Sequence, residues 1–226
     1  MHIPDGYLSP QTYLPLYGAF IAVAAVAVKK VKEKFDRKMV PFLGMAASFS
    51  FLIMMFNIPI PGGTTGHAVG AAIIALLLGP WVAFIAVSVA LIIQALVFGD
   101  GGITAIGANC INMAFVMPFT AWYAFKWIRG KTVSSTRISV AAFLSAYISL
   151  NVAALVTGIE FGIQPILASG PEGHPLYAPY PLGIAVPAMA IQHLFFFGFV
   201  EAIVTLLIFR YFEKNFPEMT EALKMA

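Results

Sequence analysis

Asn57-Ile58-Pro59-Ile60-Pro61-Gly62-Gly63-Thr64-Thr65-Gly66 runs straight into His67-Ala68-Val69-Gly70-Ala71-Ala72-Ile73-Ile74-Ala75-Leu76-Leu77-Leu78-Gly79. The second stretch carries no charge apart from its histidine and reads as a membrane helix. As a helix its roughly 13 residues rise about 20 Å, against about 30 Å of hydrocarbon in a bilayer. Gly79-Pro80 closes it with a tight turn, since glycine suits the residue just past a helix and proline the first turn of the next. A segment that starts from a turn at one face therefore falls short of the other. Residues 57–66 must dip into the membrane to meet it. Irregular backbone at that depth persists only where protein surrounds it or where it lines a cavity. His67 is thereby expected at the floor of a pocket.

The rest of the chain agrees with a lipid solvent. Of 226 residues, 60% are hydrophobic and 10% charged, with a mean hydropathy of +0.88. A soluble domain carries about 25% charged residues. Spans are expected at 11–30, 40–57, 67–79, 80–98, 102–127, 137–160 and 183–210: an all-α, polytopic, multi-pass protein of about seven membrane helices, a single domain over 1–226. Pro118 and Pro187 are expected to kink their helices, and 161–182, rich in proline and glycine, to form a long external loop. Residues 1–6 carry neither a basic stretch nor an apolar core, so no cleavable signal is expected and the chain is read as starting at Met1. Cys110 stands alone in an apolar run, which excludes an intrachain disulfide and a cysteine-built zinc or iron–sulfur site.

With spans alternating sides, one face receives Lys29, Lys30, Lys32, Lys34, Arg37, Lys38, Lys126, Arg129, Lys131, Arg137, Arg210, Lys214 and Lys224, all 13 basic residues of the chain. The positive-inside rule puts that face in the cytoplasm and the N-terminus outside. The basic pI of about 9.0 is thus a topology signal, and no nucleic-acid partner is expected.

Polar and ionisable residues within or near the membrane are functional candidates: His2, Asp5, His67, Gln94, Asp100, Asn109, Asn112, Glu160, His193 and Glu201. His2 has a specific chemistry. The Met1 amine, the His2 backbone nitrogen and the His2 imidazole can chelate one metal, amine to amide through a five-membered ring and amide to Nδ1 through a six-membered one. Late first-row metals promote loss of the amide proton. One further imidazole would complete a planar set of four nitrogens, the geometry of Ni(II) or Cu(II). The backbone places His67 near such a site; His174 lies in the outer loop and His193 further down the last helix. Asp5 and Asn109 are expected to take the second ring proton of a ligating histidine, and Glu201 to be protonated or paired with a polar group.

Met1-His2-Ile3-Pro4-Asp5-Gly6-Tyr7-Leu8-Ser9-Pro10 closely resembles the N-terminus of the NikM/CbiM family of substrate-binding components of energy-coupling factor transporters for nickel and cobalt. The likeness continues through Gly62-Gly63-Thr64-Thr65-Gly66-His67, Leu78-Gly79-Pro80-Trp81, Phe98-Gly99-Asp100-Gly101-Gly102, Gly107-Ala108-Asn109, Asn112-Met113 and Glu201-Ala202. The resemblance implies an outward site for Ni(II), with Co(II) second, built from the Met1 amine, the His2 amide and imidazole, and His67. It also implies a six-helix core preceded by one extra helix. The partners it implies are a membrane coupling subunit and two ATP-binding cassette subunits, with a small accessory membrane protein as a further candidate. The location would be the cytoplasmic membrane, and no resident cofactor and no catalytic residue are expected.

The chain itself offers no ATPase site. Gly130-Lys131-Thr132 ends like a P-loop, but Phe125 stands where the first glycine is needed and no strand precedes it. Gly44 with Ser48, and Ala46 with Ser50, are small-residue pairs that permit close helix approach, either within the protein or, by resemblance, against the coupling subunit. The alternative of a proton-coupled secondary transporter of a divalent metal would call for matched broken helices in two halves, and only one short segment is present. A membrane hydrolase is disfavoured: His193 and Glu201 stand about 12 Å apart along one helix, with no nucleophile elbow or zinc-protease run.

Overall fold

Helices form where the apolar runs lie. The computed structural model describes residues 1–33, 39–60, 64–131, 134–218 and 220; Lys34, Arg37, Lys38, Pro61, Gly62, Gly63, Thr132 and Lys224, invoked above, lie outside the described residues. The helices are α1 (Pro10–Lys32), α2 (Val40–Met54), α3 (Ala71–Leu78), α4 (Pro80–Ile93), α5 (Ile106–Asn109), α6 (Met117–Arg129), α7 (Ser135–Gly162), α8 (Gln164–Leu167), α9 (Leu182–Gln192) and α10 (Gly198–Asn215). π-helical turns at Gln94–Phe98, Cys110–Val116 and His193–Phe197 extend α4 and join α5 to α6 and α9 to α10. The protein is an all-α membrane protein. Among the described residues, four continuous helices are long and apolar enough to cross a bilayer: Pro10–Lys32, Pro80–Phe98, Ser135–Leu167 and Leu182–Asn215; Val40–Met54 is shorter.

The third segment is shorter than its sequence implies. Helix starts only at Ala71, because Gly70 adopts φ 73° and breaks the run from His67. A Cβ at Gly70 would also lie 2.5 Å from the Phe49 ring, so glycine is needed for both conformation and contact. Eight residues of helix rise only about 12 Å. The expected dip ahead of it is partly regular: β1 (Ile58–Ile60) pairs antiparallel with β2 (Thr64–Gly66), Ile58 opposite Gly66. Pairing satisfies backbone groups that would otherwise be stranded at depth. At the far end Gly79, φ 89°, turns the chain directly into Pro80 at the head of α4, as expected.

α1 lies at the edge. In its most apolar stretch only 11% is buried, against 56% for the stretch led by Pro80, which fits a helix added outside a core. It is nonetheless closely docked. A Cβ at Gly107, in α5, would stand 2.7 Å from backbone atoms of Tyr17 in α1, and the Tyr17 hydroxyl donates to the Ile103 carbonyl. The small-residue pairs of α2 divide. Ala46 and Ser50 are buried, Ser50 donating to the Val69 carbonyl at 2.8 Å; Gly44 and Ser48 are exposed and line an open groove with Val89 and Ile93 of α4. Cys110 is buried and free.

Backbone cannot yield as a flexible side chain can, so Gly107→Ala should force α1 away from α5. Overpacking of this kind costs about 1–3 kcal/mol. The expected outcome is a lower midpoint of thermal unfolding in detergent than for Gly18→Ala, a site on α1 with open space around it; equal midpoints would contradict the close α1–α5 contact.

Candidate metal centre

The first nine residues form an arm buried at residues 1–3 and 8–9, with turns and bends at residues 5–8. Met1 is 1% exposed, Ile3 is fully buried and Leu8 is 2% exposed; all three belong to the main apolar core. Burying each such side chain stabilises the docked arm by about 1.5–3 kcal/mol. The backbone is held equally firmly. Asn109 grips Ile3 on both sides, its Oδ1 accepting the Ile3 amide at 2.9 Å and its Nδ2 donating to the Ile3 carbonyl at 3.2 Å. The Gly102 amide donates to the same carbonyl at 2.8 Å, and a Cβ at Gly102 would overlap Asp5 at 2.3 Å. Asp5 accepts the amides of Ile103 and Thr104 at 3.1 and 2.8 Å. Further along, Ala178 donates to the Tyr7 carbonyl at 3.1 Å, and Gln164 accepts the Ser9 amide at 2.9 Å. The arm is thus stitched to the loop before α5, to the outer loop and to α8.

At its tip the Met1 amine donates to the Thr65 carbonyl, and the Thr64 hydroxyl donates to the His2 carbonyl at 2.8 Å. The short hairpin therefore brings β2, and His67 just beyond it, against residues 1 and 2. The rings of His2 and His67 stack, centroids 4.6 Å apart and planes at 29°. His2 is 3% exposed and His67 fully buried.

The hydrogen bonds set both tautomers. His2 Nε2 stands 3.3 Å from Gln94 Oε1, and Gln94 is oriented by donating its own amide to the Phe51 carbonyl at 3.4 Å. His67 Nδ1 stands 3.0 Å from the Ala68 carbonyl. Both partners are pure acceptors, so each of these ring nitrogens carries the proton. The lone pairs are left on His2 Nδ1 and His67 Nε2, and both atoms are buried without a hydrogen-bond donor. His2 Nδ1 is the nitrogen that closes a six-membered chelate ring with its own amide. Asp100 Oδ1 lies 3.4 Å from it, a neighbouring anion that would offset the charge of a cation.

Burial dictates the charge state of the arm. Desolvation outweighs attraction to Asp100 and lowers the Met1 amine to about 4. Desolvation, then repulsion by the amine, lowers the His2 ring to about 3 against the Gln94 hydrogen bond, which raises it. Asp100 is raised, burial outweighing the amine and Asn57. At neutral pH the tip of the arm is thus a set of uncharged nitrogen donors. No three His, Cys, Asp or Glu side chains among the described residues form a metal cluster; an amine and an amide escape such a count.

Of the residues singled out from the sequence, Met1, His2 and His67 come together. Neither Asn109 nor Asp5 meets an imidazole: Asn109 holds the Ile3 backbone, and Asp5, in the arm itself, holds the amides of Ile103 and Thr104. The ring protons go to Gln94 and to the Ala68 carbonyl instead. Gln94 was legible only as a polar residue in a span, since nothing in its spacing points at residue 2. Glu201 pairs with a polar group as expected: its Oε2 accepts the amides of Val69 and Gly70 at 2.8 and 3.0 Å, anchoring the backbone between His67 and α3. Asn112 and Glu160 form a separate knot, Asn112 Nδ2 donating to Glu160 at 2.6 Å and to Thr157 at 3.2 Å.

Residues 2–219 match the family described as "Cobalt uptake substrate-specific transmembrane region". The chain is similar to the fused nickel transport protein NikMN of Rhodobacter capsulatus, 50% identical over 97% of this chain and 63% of that protein. It is also similar to the putative metal transport protein MJ1569 of Methanocaldococcus jannaschii, 46% identical over 97% of this chain and 94% of that protein. It spans somewhat less than two thirds of the length of the first. Among solved structures, a truncated transition metal transporter superposes with a TM-score of 0.92 at 47% identity, covering 95% of this chain and 99% of that one.

Removing the Asn109 side chain breaks both bonds to Ile3; the Ile3 carbonyl keeps the Gly102 amide, but the buried Ile3 amide loses its acceptor, at about 1–3 kcal/mol. Asn109→Ala should therefore loosen the arm while the helices stay folded. Hydrogen exchange read by mass spectrometry should speed up over residues 1–8 and not over α7. Unchanged protection of the arm would contradict its docking through Asn109.

Proposed function

Because the chain belongs to the CbiM family, the cobalt uptake substrate-specific transmembrane region, we propose that it captures Ni(II), with Co(II) second, as the substrate-binding subunit of an ATP-driven energy-coupling factor importer. The observation that carries the reading is the buried tip of the arm: a neutral amine, a histidine with Nδ1 unpartnered, and His67 with Nε2 unpartnered, all in one pocket. The Met1 amine, the His2 amide and Nδ1, and His67 Nε2 supply four nitrogens, and such a set suits a planar d⁸ ion. A bound metal would be met by His2 Nδ1 and His67 Nε2, the two ring nitrogens left without a hydrogen-bond partner. Gln94 and the Ala68 carbonyl hold the opposite ring nitrogens, which fixes the tautomers and raises donor strength.

The distribution of basic residues supports capture from the outer face of the cytoplasmic membrane. The absence of a P-loop supports reliance on partners for energy: a membrane coupling subunit and two ATP-binding cassette subunits. The exposed small residues Gly44 and Ser48 of α2 suit close approach of a partner helix. Metal transport in proteoliposomes should need the ATP-binding partners and ATP; uptake by the chain alone driven by a proton gradient would favour a secondary transporter instead.

His67→Ala leaves the fourth corner to water. Tight binding should be lost, by more than the roughly 10- to 100-fold that removing an outer-shell partner costs, with the protein still folded; nickel affinity within about threefold of the parent would contradict the site.

The charge state of the arm refines the pH dependence. Metal ligands must be deprotonated, but the docked amine and the His2 imidazole are lowered to about 4 and about 3 and have already lost their protons. Above pH 5 only the His2 amide has a proton left to give. Calorimetry in buffers of different ionisation heat should count about one proton released per metal at pH 7, with affinity falling about tenfold per pH unit between about pH 8 and 5.5. Release of two protons would show an amine still charged in the docked arm, and a flat profile would exclude the amide as a ligand.

A further inference from the structure

A third imidazole lies within electrostatic reach of Met1 and His67 and is left without a task by four planar nitrogens. His193 is fully buried. Its Nδ1 lies 2.7 Å from the Met189 carbonyl, which accepts and cannot donate, so the proton is on Nδ1 and the lone pair on Nε2. That Nε2 is buried with no hydrogen-bond partner. Buried acceptors without a donor are uncommon and costly.

The local fold brings this ring to His67. His193–Phe197 forms a π-helical turn, a distortion that often marks functional positions. Phe197, at the end of that turn, presses on Gly66, where a Cβ would fall 1.9 Å from a ring carbon. The contact pins the turn to the residue immediately before His67. The His193 ring lies 5.4 Å from the Phe197 ring, centroid to centroid. It is also near enough to the Met1 amine and to His67 to interact electrostatically with both. Three buried imidazoles close to one another thus each hold one ring nitrogen against a fixed acceptor and leave the other without a hydrogen-bond partner.

We propose that His193, through Nε2, supplies a fifth, apical nitrogen to a metal held by Met1, His2 and His67, and so widens the site from Ni(II) to Co(II). The inference rests on the reading of the arm as a chelate. Low-spin d⁸ Ni(II) in a strong nitrogen plane has a filled axial orbital and gains little from a fifth donor. Co(II) is d⁷ and gains more, so ligand number discriminates where affinity for the four-nitrogen set does not. No covalent or redox step is involved; the lone pair on Nε2 is the only group added.

The test titrates NiCl2 and CoCl2 separately into the purified protein and into His193→Phe and His193→Gln. Gln can still donate to the Met189 carbonyl, so it keeps the local fold where Phe does not. Both variants should lower the ratio of Co(II) to Ni(II) affinity by about tenfold or more. X-ray absorption of the Co(II) form should show one nitrogen neighbour fewer in the variants than in the parent. A ratio within about threefold of the parent in His193→Gln, or an unchanged cobalt shell, would overturn the apical role while leaving the chelate standing. A parent protein that binds neither metal would remove the chelate and the apical ligand together.

Discussion

A chain terminus buried in a protein interior is the constraint on which this structure turns. An ammonium group placed there without a full set of partners costs several kcal/mol, and such groups respond by losing the proton. Met1 does so, held against the Thr65 carbonyl with its side chain in the core. The energy that keeps it there comes from the rest of the arm: the apolar side chains of Met1, Ile3 and Leu8, the double grip of Asn109 on Ile3, and the Gln164 bond to Ser9. Gly102 and Gly107 are small because the arm and α1 pass within contact of their backbone. A neutral amine at depth is of little structural use, but it is a good metal donor.

The second half of the pocket is built by the opposite device. The segment from His67 cannot be helix from its first residue, and Gly70 marks the break. Four residues between β2 and α3 therefore carry free backbone groups. Glu201, reaching from α10, takes the amides of Val69 and Gly70, and Ser50, from α2, donates to the Val69 carbonyl. His67 is thereby fixed to two core helices rather than to a mobile loop. The pocket forms where an arm held by α5, α8 and the outer loop meets a strand held by α2 and α10.

Much of this could be read from the residues. Segment lengths showed that the stretch before Gly79 cannot span a bilayer, and from this followed the dip and the placing of His67. The chemistry of a Met-His pair pointed to the Met1 amine and His2, and the structure places His2 against His67. Other features leave no local mark. A π-helical turn is an adjustment of register made by tertiary packing, so the one at His193–Phe197 cannot be seen in an apolar run. Ile58-Pro59-Ile60 pairs with Thr64-Thr65-Gly66 although proline is a poor strand residue; the pairing answers a need for satisfied backbone at depth. Gln94 lies 92 residues from His2, and which polar residue meets an imidazole is a matter of packing. Asn109 and Asp5, expected to hold a ring proton, instead tether the arm, Asn109 through the Ile3 backbone and Asp5 through the amides of Ile103 and Thr104, because a chain end must be tethered before it can be aimed.

The central claim is that the chain's own amino terminus is a metal donor, and one added residue tests it most directly. An extension before Met1 turns its nitrogen into an amide and makes His2 the third residue. Its chelate then draws four nitrogens from a single strand and has no corner for His67. Nickel binding should be measured by titration for the native protein, for a one-residue N-terminal extension and for a C-terminal extension of the same size. The account predicts tight binding, with a spectrum dependent on His67, for the first and third only. Native affinity and an unchanged spectrum in the N-terminally extended protein would contradict it.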